Sequence, residues 1–359
     1  MKIGINSRLY QNNETGIPYF IKCLYQTLLK KNSNNKYGFF QTNTKKTLGA
    51  TKTYPVPNNI LGLFLFDGFF SNKLAVQEKV NIFHGPSNVL PLFKKNGIKY
   101  VVTIHDLSFL IFPEHELKLF NIYYRFIIRR ALRNADVIVA DSYNTKNDIQ
   151  RFYKIPEDKI KVIYPGVSKK YLNAPKTPRL IKEKYFFSIS THPRRKNIMT
   201  VFDAMANEQK LREYKYVIVG LISNKNLQEF NVRIRTLNLD ENVILFGFAS
   251  EEHLVSLYQN AEFFIYPSFY EGFGFPVLEA MACRCPVITS NNSSLPEITP
   301  NKTWLINPYK PVEIANKMKK MLNLSKDKRI KLIEKNYLFC QKFTWEKTAE
   351  KYSKIFNNL

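Results

Sequence analysis

The 359-residue sequence predicts an α/β protein built from two doubly wound parallel-sheet domains. Three observations carry that prediction. Short β-rich runs alternate with helical patterns along nearly the whole chain. The runs are apolar on both faces, as strands are when helices cover both sides of a parallel sheet. The alternation stops once, near residue 175, and then restarts.

In chain order, the first series of strands reads "KIGIN" (2–6), "NIFHG" (81–85), "YVVTIHD" (100–106), "DVIVAD" (136–141) and "IKVIYPG" (160–166). Helical spacing falls at 17–30, 118–133 and 144–153. The second series reads "YFFSIS" (185–190), "YKYVIVG" (214–220), "NVILFGF" (242–248), "EFFIYP" (262–267) and "PVITS" (286–290). Its helices are expected at 197–209, 226–237, 251–259 and 276–283. The seam lies between Gly166 and Lys184, where a polar stretch with two prolines lacks apolar periodicity. The expected domains are 1–170 and 171–342. Residues 343–359 form a final amphipathic segment whose helix begins near Trp345. No fixed-period repeat or low-complexity tract interrupts this order.

Composition narrows the class. With 45% hydrophobic and 14% aromatic residues, the chain has ample material for two cores. No apolar run reaches the roughly 20 residues that span a bilayer, and "MKIGIN" reads as a buried strand, so the expectation is a cytoplasmic chain. Cys23, Cys283, Cys285 and Cys340 are too sparse for a disulfide framework and lack zinc-ligand spacing, so free thiols and no metal are expected. Lys and Arg total 54 against 29 acidic residues, a net charge of +25. That balance suits nucleic acid, an anionic membrane surface or phosphorylated substrates. Compositional drift toward Lys, Asn and Ile is the plain alternative. The basic residues are spread along the chain and no nucleic-acid motif appears, which argues against a nucleic-acid partner.

Ligands of open parallel sheets sit beyond the carboxyl ends of the strands, and two facing sheets would enclose a cleft. The chemistry-bearing residues follow strands. In "YPSFYEGFGFPVLEAMACRC" (266–285) a strand ends, a glycine-rich loop carries Glu271, Pro276 opens a helix, and Glu279 lies about one turn in. Gly272 and Gly274 let the backbone approach a ligand, and the helix start offers N–H donors. The alternative is a capped helix with two solvated glutamates. "STHPRRKN" (190–197) places Arg194, Arg195 and Lys196 after the first strand of the second series, a diphosphate-binding chemistry or else a solvated basic turn. His105 and Asp106 end a strand of the first series, and the histidine is either a ligand contact or a satisfied structural residue. His84, in "FHGP", would border an acceptor, with His115, His192 and His253 weaker candidates. "NETGIPYF" (13–20) brings Gly16 and a helix start past the first strand. The helix around 117–133 mixes aromatics with Arg125, Arg129, Arg130 and Arg133. It reads as a core helix with an arginine-rich outer face, or as a membrane-surface helix. The apolar patch Ile60 to Phe70 is either core or a seat for an apolar, lipid-linked acceptor.

"PSFYEGFGFPVLEAMACRCPVITSNNSSLPE" closely resembles the signature of the retaining nucleotide-sugar glycosyltransferases of family 4, which have the GT-B fold. The family's Glu, seven residues, Glu hallmark is matched by Glu271 and Glu279. The resemblance implies that Glu279 grips the donor ribose and Glu271 sits by the donor sugar. It implies that amides at Phe273, Gly274 and Phe275 hold sugar hydroxyls, and that Arg195 and Lys196 bind the diphosphate and assist its departure. His105 would contact the donor sugar and Gly16 the diphosphate. The pattern departs from the family at Ser190, Pro193, Arg194, Pro18, Tyr19 and Arg284. Thr15 and Gly16 match it. The implied activity is a metal-independent retaining hexosyl transfer from a nucleoside-diphosphate sugar, GDP-mannose first, to a saccharide or lipid-linked saccharide. The first domain would bind the acceptor, the second would bind the donor, and the terminal helix would cross back to the first. A sugar-nucleotide epimerase or hydrolase is the same-fold alternative. The chain would work in the cytoplasm, at the membrane surface if its basic helix faces lipid.

Overall fold

A computed structural model describes residues 1–10, 16–31, 35–42, 48–49, 51–56, 59–113, 118–190, 193–220 and 223–359. The chain divides into two compact units. One comprises Met1–Gly166 with Thr344–Leu359, and the other Val167–Phe343.

The first unit holds a seven-stranded sheet of β1 (Lys2–Asn6), β2 (Lys36–Gln41), β3 (Thr51–Thr53), β4 (Ile82–Gly85), β5 (Lys99–Ile104), β6 (Val137–Ala140) and β7 (Ile160–Val162). The order is β3-β2-β1-β4-β5-β6-β7, and every pairing is parallel. β2 and β3 are additions to the strands expected from sequence. β3 is short, polar and at the edge, so it lacks the apolar run that marks a buried strand. The chain reverses its direction of strand addition between β1 and β4, and the carboxyl ends there carry Arg8, Gly16 and His84.

The patch from Ile60 to Phe70 is helical. An α-helix (Ile60–Leu65) runs through a π-helical turn (Phe66–Phe70) into a further helix (Ser71–Gln77). Asp67, in the π turn, is fully buried and is the hub of a polar cluster. Its carboxylate accepts from Arg8 Nε at 3.0 Å and from Asn6 Nδ2 at 2.9 Å, and Arg8 Nη2 lies 2.9 Å away. A lone buried carboxylate would be too costly, so this pairing is what allows an acid in an apolar stretch.

Helix Trp345–Asn357 packs on helix Ile17–Lys30 within this unit. Trp345, Ala349, Tyr352 and Phe356 are buried, and the Trp345 ring meets Phe20 edge-on at 5.7 Å. Gly166 makes the approach possible, because a Cβ there would lie 2.2 Å from the Trp345 backbone nitrogen. His84 is fully buried here, with its ring nitrogens against Tyr25 and, at 2.8 Å, Thr103 Oγ1, which in turn meets the Tyr352 hydroxyl at 2.7 Å. Burial holds it neutral, down at about 3. The expectation that His84 borders an acceptor is corrected: a central strand covered by two helices points it into the core. His115 and His192, and the Thr15 match, lie outside the described residues.

The second unit repeats the scheme with β8 (Tyr185–Ile189), β9 (Lys215–Val219), β10 (Val243–Gly247), β11 (Phe264–Tyr266), β12 (Val287–Ser290) and β13 (Leu305–Ile306). The order is β10-β9-β8-β11-β12-β13, again all parallel. The switch point falls between β8 and β11, whose carboxyl ends are where ligands of such sheets bind. The helix expected over 197–209 runs Ile198–Ala206, and a separate short helix, Pro193–Lys196, precedes it, the two divided by Asn197 at a left-handed φ of 60°. Helices Pro311–Leu322 and Lys326–Cys340 complete the unit. Cys283, Cys285 and Cys340 are buried free thiols, while Cys23 of the first unit is half-buried.

Candidate functional site

The β8–β11 switch point builds a buried polar cluster in the second unit. Residues 193–196 follow β8 and the loop 267–274 follows β11, so two short segments about 75 positions apart are brought side by side. Lys196 Nζ lies 2.6 Å from Glu271 Oε1 and also donates to the Tyr266 hydroxyl. Its ammonium sits 4.7 Å from the centre of the Tyr266 ring. Arg195 Nη1 is 4.0 Å from Glu271 Oε2. Ser268 Oγ donates to Glu271 Oε1 at 2.6 Å. Arg194 turns the other way and pairs with Glu229 at 2.8 Å on an exposed face. The two segments are stitched by backbone too: Phe269 N donates to Arg195 O at 2.9 Å.

Glu271 is therefore not a solvated loop carboxylate. Burial pushes its carboxyl up, but Lys196 and then Arg195 more than offset that, holding it below the usual range. The group is an ionised acceptor at neutral pH, already charge-balanced. A sugar hydroxyl or a diphosphate entering here meets two cations and one anion in a desolvated setting, where each interaction is stronger than in water.

The loop's shape is set from β12. Ser293, at φ 51°, accepts the Glu271 N–H through Oγ at 3.1 Å. Ser294, fully buried, donates from Oγ toward the carbonyls of Glu271 at 2.9 Å and Phe273 at 2.8 Å. Gly274 then takes φ 109° and starts helix Phe275–Ala282, which has no side-chain cap. That backbone conformation disfavours any side chain. Phe273 is buried and Phe275 half-buried, their rings edge to face at 5.3 Å. Asn197 pins the floor, donating from Nδ2 to the carbonyls of Pro267 at 3.1 Å and Pro308 at 2.7 Å.

Glu279, about one turn into the helix, has the opposite electrostatics. Burial raises its carboxyl to about 7, with the Tyr258 hydroxyl, donating at 3.3 Å, a smaller counterweight and Glu251 a further raising charge. Among the described residues it has no cation of the kind that Lys196 gives Glu271. The two glutamates of the loop and helix therefore do different jobs: one is a paired anion, the other a proton-holding acid near neutrality. Tyr258, Tyr266, Ser268, Ser293 and Ser294 were not singled out from sequence. The last four lie within or beside the quoted stretches, but a hydroxyl residue in such a loop carries no distinctive spacing.

Arg284 has φ 61° just past helix Phe275–Ala282, a left-handed position that favours glycine. Its guanidinium lies 3.8 Å from the Tyr337 ring centre and pairs with Glu334 at 2.8 Å, which offsets the backbone cost.

In the first unit, His105 follows β5. Its Nδ1 meets Asp141 Oδ2 at 2.6 Å and its Nε2 meets the Pro86 carbonyl at 2.7 Å. Both partners accept, so the ring carries both protons. Burial alone would lower its pKa, but Asp141 outweighs that and the value is raised. Gly16, at φ 62°, stands at the start of helix Ile17–Lys30 with no side-chain cap.

Two parallel-sheet α/β units, each with a switch point, define the GT-B class of fold. The solved structure of a sucrose-phosphate synthase from Thermosynechococcus elongatus matches it over 100% of this chain and 98% of that one, with a TM-score of 0.77 at 18% identity. Two family models match in tandem: the model for Glycosyltransferase Family 4 over residues 41–171 and the one for glycosyl transferases group 1 over residues 169–339. Together the two matches span residues 41–339 and support a family-4-like glycosyltransferase. Among curated relatives, an Escherichia coli O-antigen chain mannosyltransferase B is 31% identical over 248 residues, 63% of this chain. The O-antigen chain mannosyltransferase RfbU of Salmonella typhimurium is 27% identical over 221 residues, 62% of this chain. The matches span 61% and 59% of those relatives' own lengths.

Proposed function

We propose that this protein transfers a hexose from a nucleoside-diphosphate sugar to a hydroxyl of a saccharide or lipid-linked saccharide, retaining the anomeric configuration. The observation that carries the reading is the Lys196–Glu271–Arg195 cluster at the β8–β11 switch point, with Glu279 on the helix that follows. Arg195 and Lys196 take the diphosphate and neutralise the charge of the departing nucleotide. Glu271 holds the donor sugar together with backbone amides at Phe273, Gly274 and Phe275. Glu279 accepts from the ribose hydroxyls, a task suited to a carboxylate with two acceptor oxygens. Gly16 meets the diphosphate. His105 meets the donor sugar by exchanging its bond to the Pro86 carbonyl. In a front-face transfer the leaving phosphate oxygen takes the acceptor's proton on the side the nucleotide leaves from, and no metal is needed. Two matched relatives are named O-antigen chain mannosyltransferases, which supports a mannosyl donor and a polysaccharide product; GDP-mannose is the donor we propose.

The test is a thermal-shift screen with GDP, UDP and dTDP sugars, then proton NMR of the product. Stabilisation by GDP-mannose above the others and an α product from the α donor are expected. An inverted product ends the mechanism, and stabilisation by a UDP or dTDP sugar alone reassigns the donor. Full-speed release of free sugar without acceptor would favour a hydrolase on the same fold.

A further inference from the structure

The first unit carries a surface that no step of sugar transfer uses. Helix Lys118–Asn134 buries Ile127, Ile128, Ala131 and Leu132 against the sheet. Its outer stripe is Ile122, Arg125, Phe126, Arg129 and Arg133, spaced to fall on one face and all exposed. Ile122 is 65% and Phe126 51% exposed. The helix contains no acidic residue. Among the described residues, no carboxylate pairs with Arg125, Arg129 or Arg133; Arg125 instead bonds the Asn121 amide at 2.6 Å.

The stripe continues onto its neighbours. Tyr123 meets the Phe64 ring edge-on at 6.2 Å, and Phe64 meets Phe69 at 5.9 Å. Phe69 meets Phe93 at 6.1 Å, and the Arg130 guanidinium returns to the helix from 5.8 Å above the Phe93 ring. Leu61, Phe69 and Phe93 are all exposed. The nearby acids are spent internally, Asp67 on Arg8 and Asp136 on Lys94 at 2.7 Å. Exposed apolar side chains of this stripe and its neighbouring segments thus accompany arginines that no carboxylate pairs, with no exposed acid among the described residues of these segments.

We propose that this face docks on an anionic lipid surface, with Ile122, Phe126, Phe69, Phe93 and Leu61 entering the headgroup boundary and Arg125, Arg129 and Arg133 meeting lipid phosphates. Charge complementarity selects the partner. Arginines alone would suit any polyanion, but aliphatic and phenyl groups interleaved with them gain only where hydrocarbon lies beneath the phosphates. No described helix is long and apolar enough to cross a membrane, so the contact is one of surface docking. The inference stands apart from the transferase reading, since a chain that transfers no sugar would still partition.

The experiment floats the full chain with vesicles of phosphatidylcholine alone or mixed with phosphatidylglycerol. Flotation is expected only with the mixed vesicles and is expected to weaken with added salt. Arg125→Gln/Arg129→Gln/Arg133→Gln should weaken partitioning about a hundredfold, from the roughly fivefold that each arginine contributes near such a surface. Ile122→Ser/Phe126→Ser should lose it with the arginines intact. Lys326→Gln/Lys328→Gln/Lys331→Gln removes equal charge from exposed positions of the second unit and should keep parent binding. Unchanged melting temperatures certify folding of each variant. Equal loss in the lysine control would reduce the effect to net charge and overturn the proposal. So would parent binding that survives Ile122→Ser/Phe126→Ser, no flotation at all, or a preference for duplex nucleic acid over the mixed vesicles.

Discussion

Glu279→Gln is expected to flatten the pH dependence of the second unit's stability. In the folded chain burial lifts this carboxyl from its ordinary 4.5 to about 7. The folded state therefore holds the proton more tightly than the unfolded state does. The group's contribution is most favourable below about pH 4.5, falls as pH rises, and reaches its full cost above about pH 7. At 1.36 kcal/mol per tenfold change, the difference between those limits is about 3 kcal/mol. Glutamine is neutral throughout and removes the slope. Its extra amide donor, if left unbonded, costs about 1–3 kcal/mol, but equally at every pH. The readout is therefore the change in the variant-minus-parent difference between pH 5 and pH 8. Urea unfolding would follow Trp304, buried in the second unit, in a Trp345→Phe background that silences the first. A difference that moves by about 2.5 kcal/mol in favour of the variant at the higher pH is expected, since at pH 5 the unfolded carboxyl is already mostly ionised. A constant difference would mean that Glu279 is already ionised in the fold, and the burial argument would fail.

The same group predicts the pH behaviour of ligand binding. If Glu279 accepts ribose hydroxyls as a carboxylate, GDP affinity measured by calorimetry should fall up to tenfold per pH unit below about 7, and Glu279→Gln should be weaker and flat. Lys196→Met leaves Glu271 buried with only Arg195, 4.0 Å away, and should cost about 3–5 kcal/mol in urea unfolding. Lys196→Met/Glu271→Gln should recover part of that loss, and strict additivity of the two changes would show that the pair is not coupled. Gly166→Ala drives a methyl into the Trp345 backbone, which cannot yield as a side chain tip can. A loss of about 2–3 kcal/mol is expected, reported by Trp345 fluorescence, and a neutral result would mean that the terminal helix shifts freely.

Much of the fold is legible before any coordinates. Runs such as "YVVTI" and "YKYVIV" read as strands because two-sided burial leaves no polar face. The restart after residue 175 marks the second sheet, and the loop that carries Glu271 and the helix that carries Glu279 follow from glycine, proline and strand grammar. Short edge strands such as Thr51–Thr53 escape, since three polar residues have no period to detect. The turn at Asn197 escapes because its left-handed backbone is held by carbonyls of Pro267 and Pro308, distant in sequence.

The sequence by itself determined the alternation of elements, the two-sheet class and which residue types follow which strands, because those depend on local propensity and on periodicity along the chain. Only the tertiary structure decided how two glutamates eight positions apart come to differ in acidity. Glu271 meets Lys196 across the β8–β11 switch and is held ionised, whereas Glu279 is half-buried beside Tyr258 with no cation among the described residues and holds its proton up to about pH 7. Charge states answer to neighbours in space, and a desolvated carboxyl takes its pKa from whichever partner the fold sets within a few ångströms.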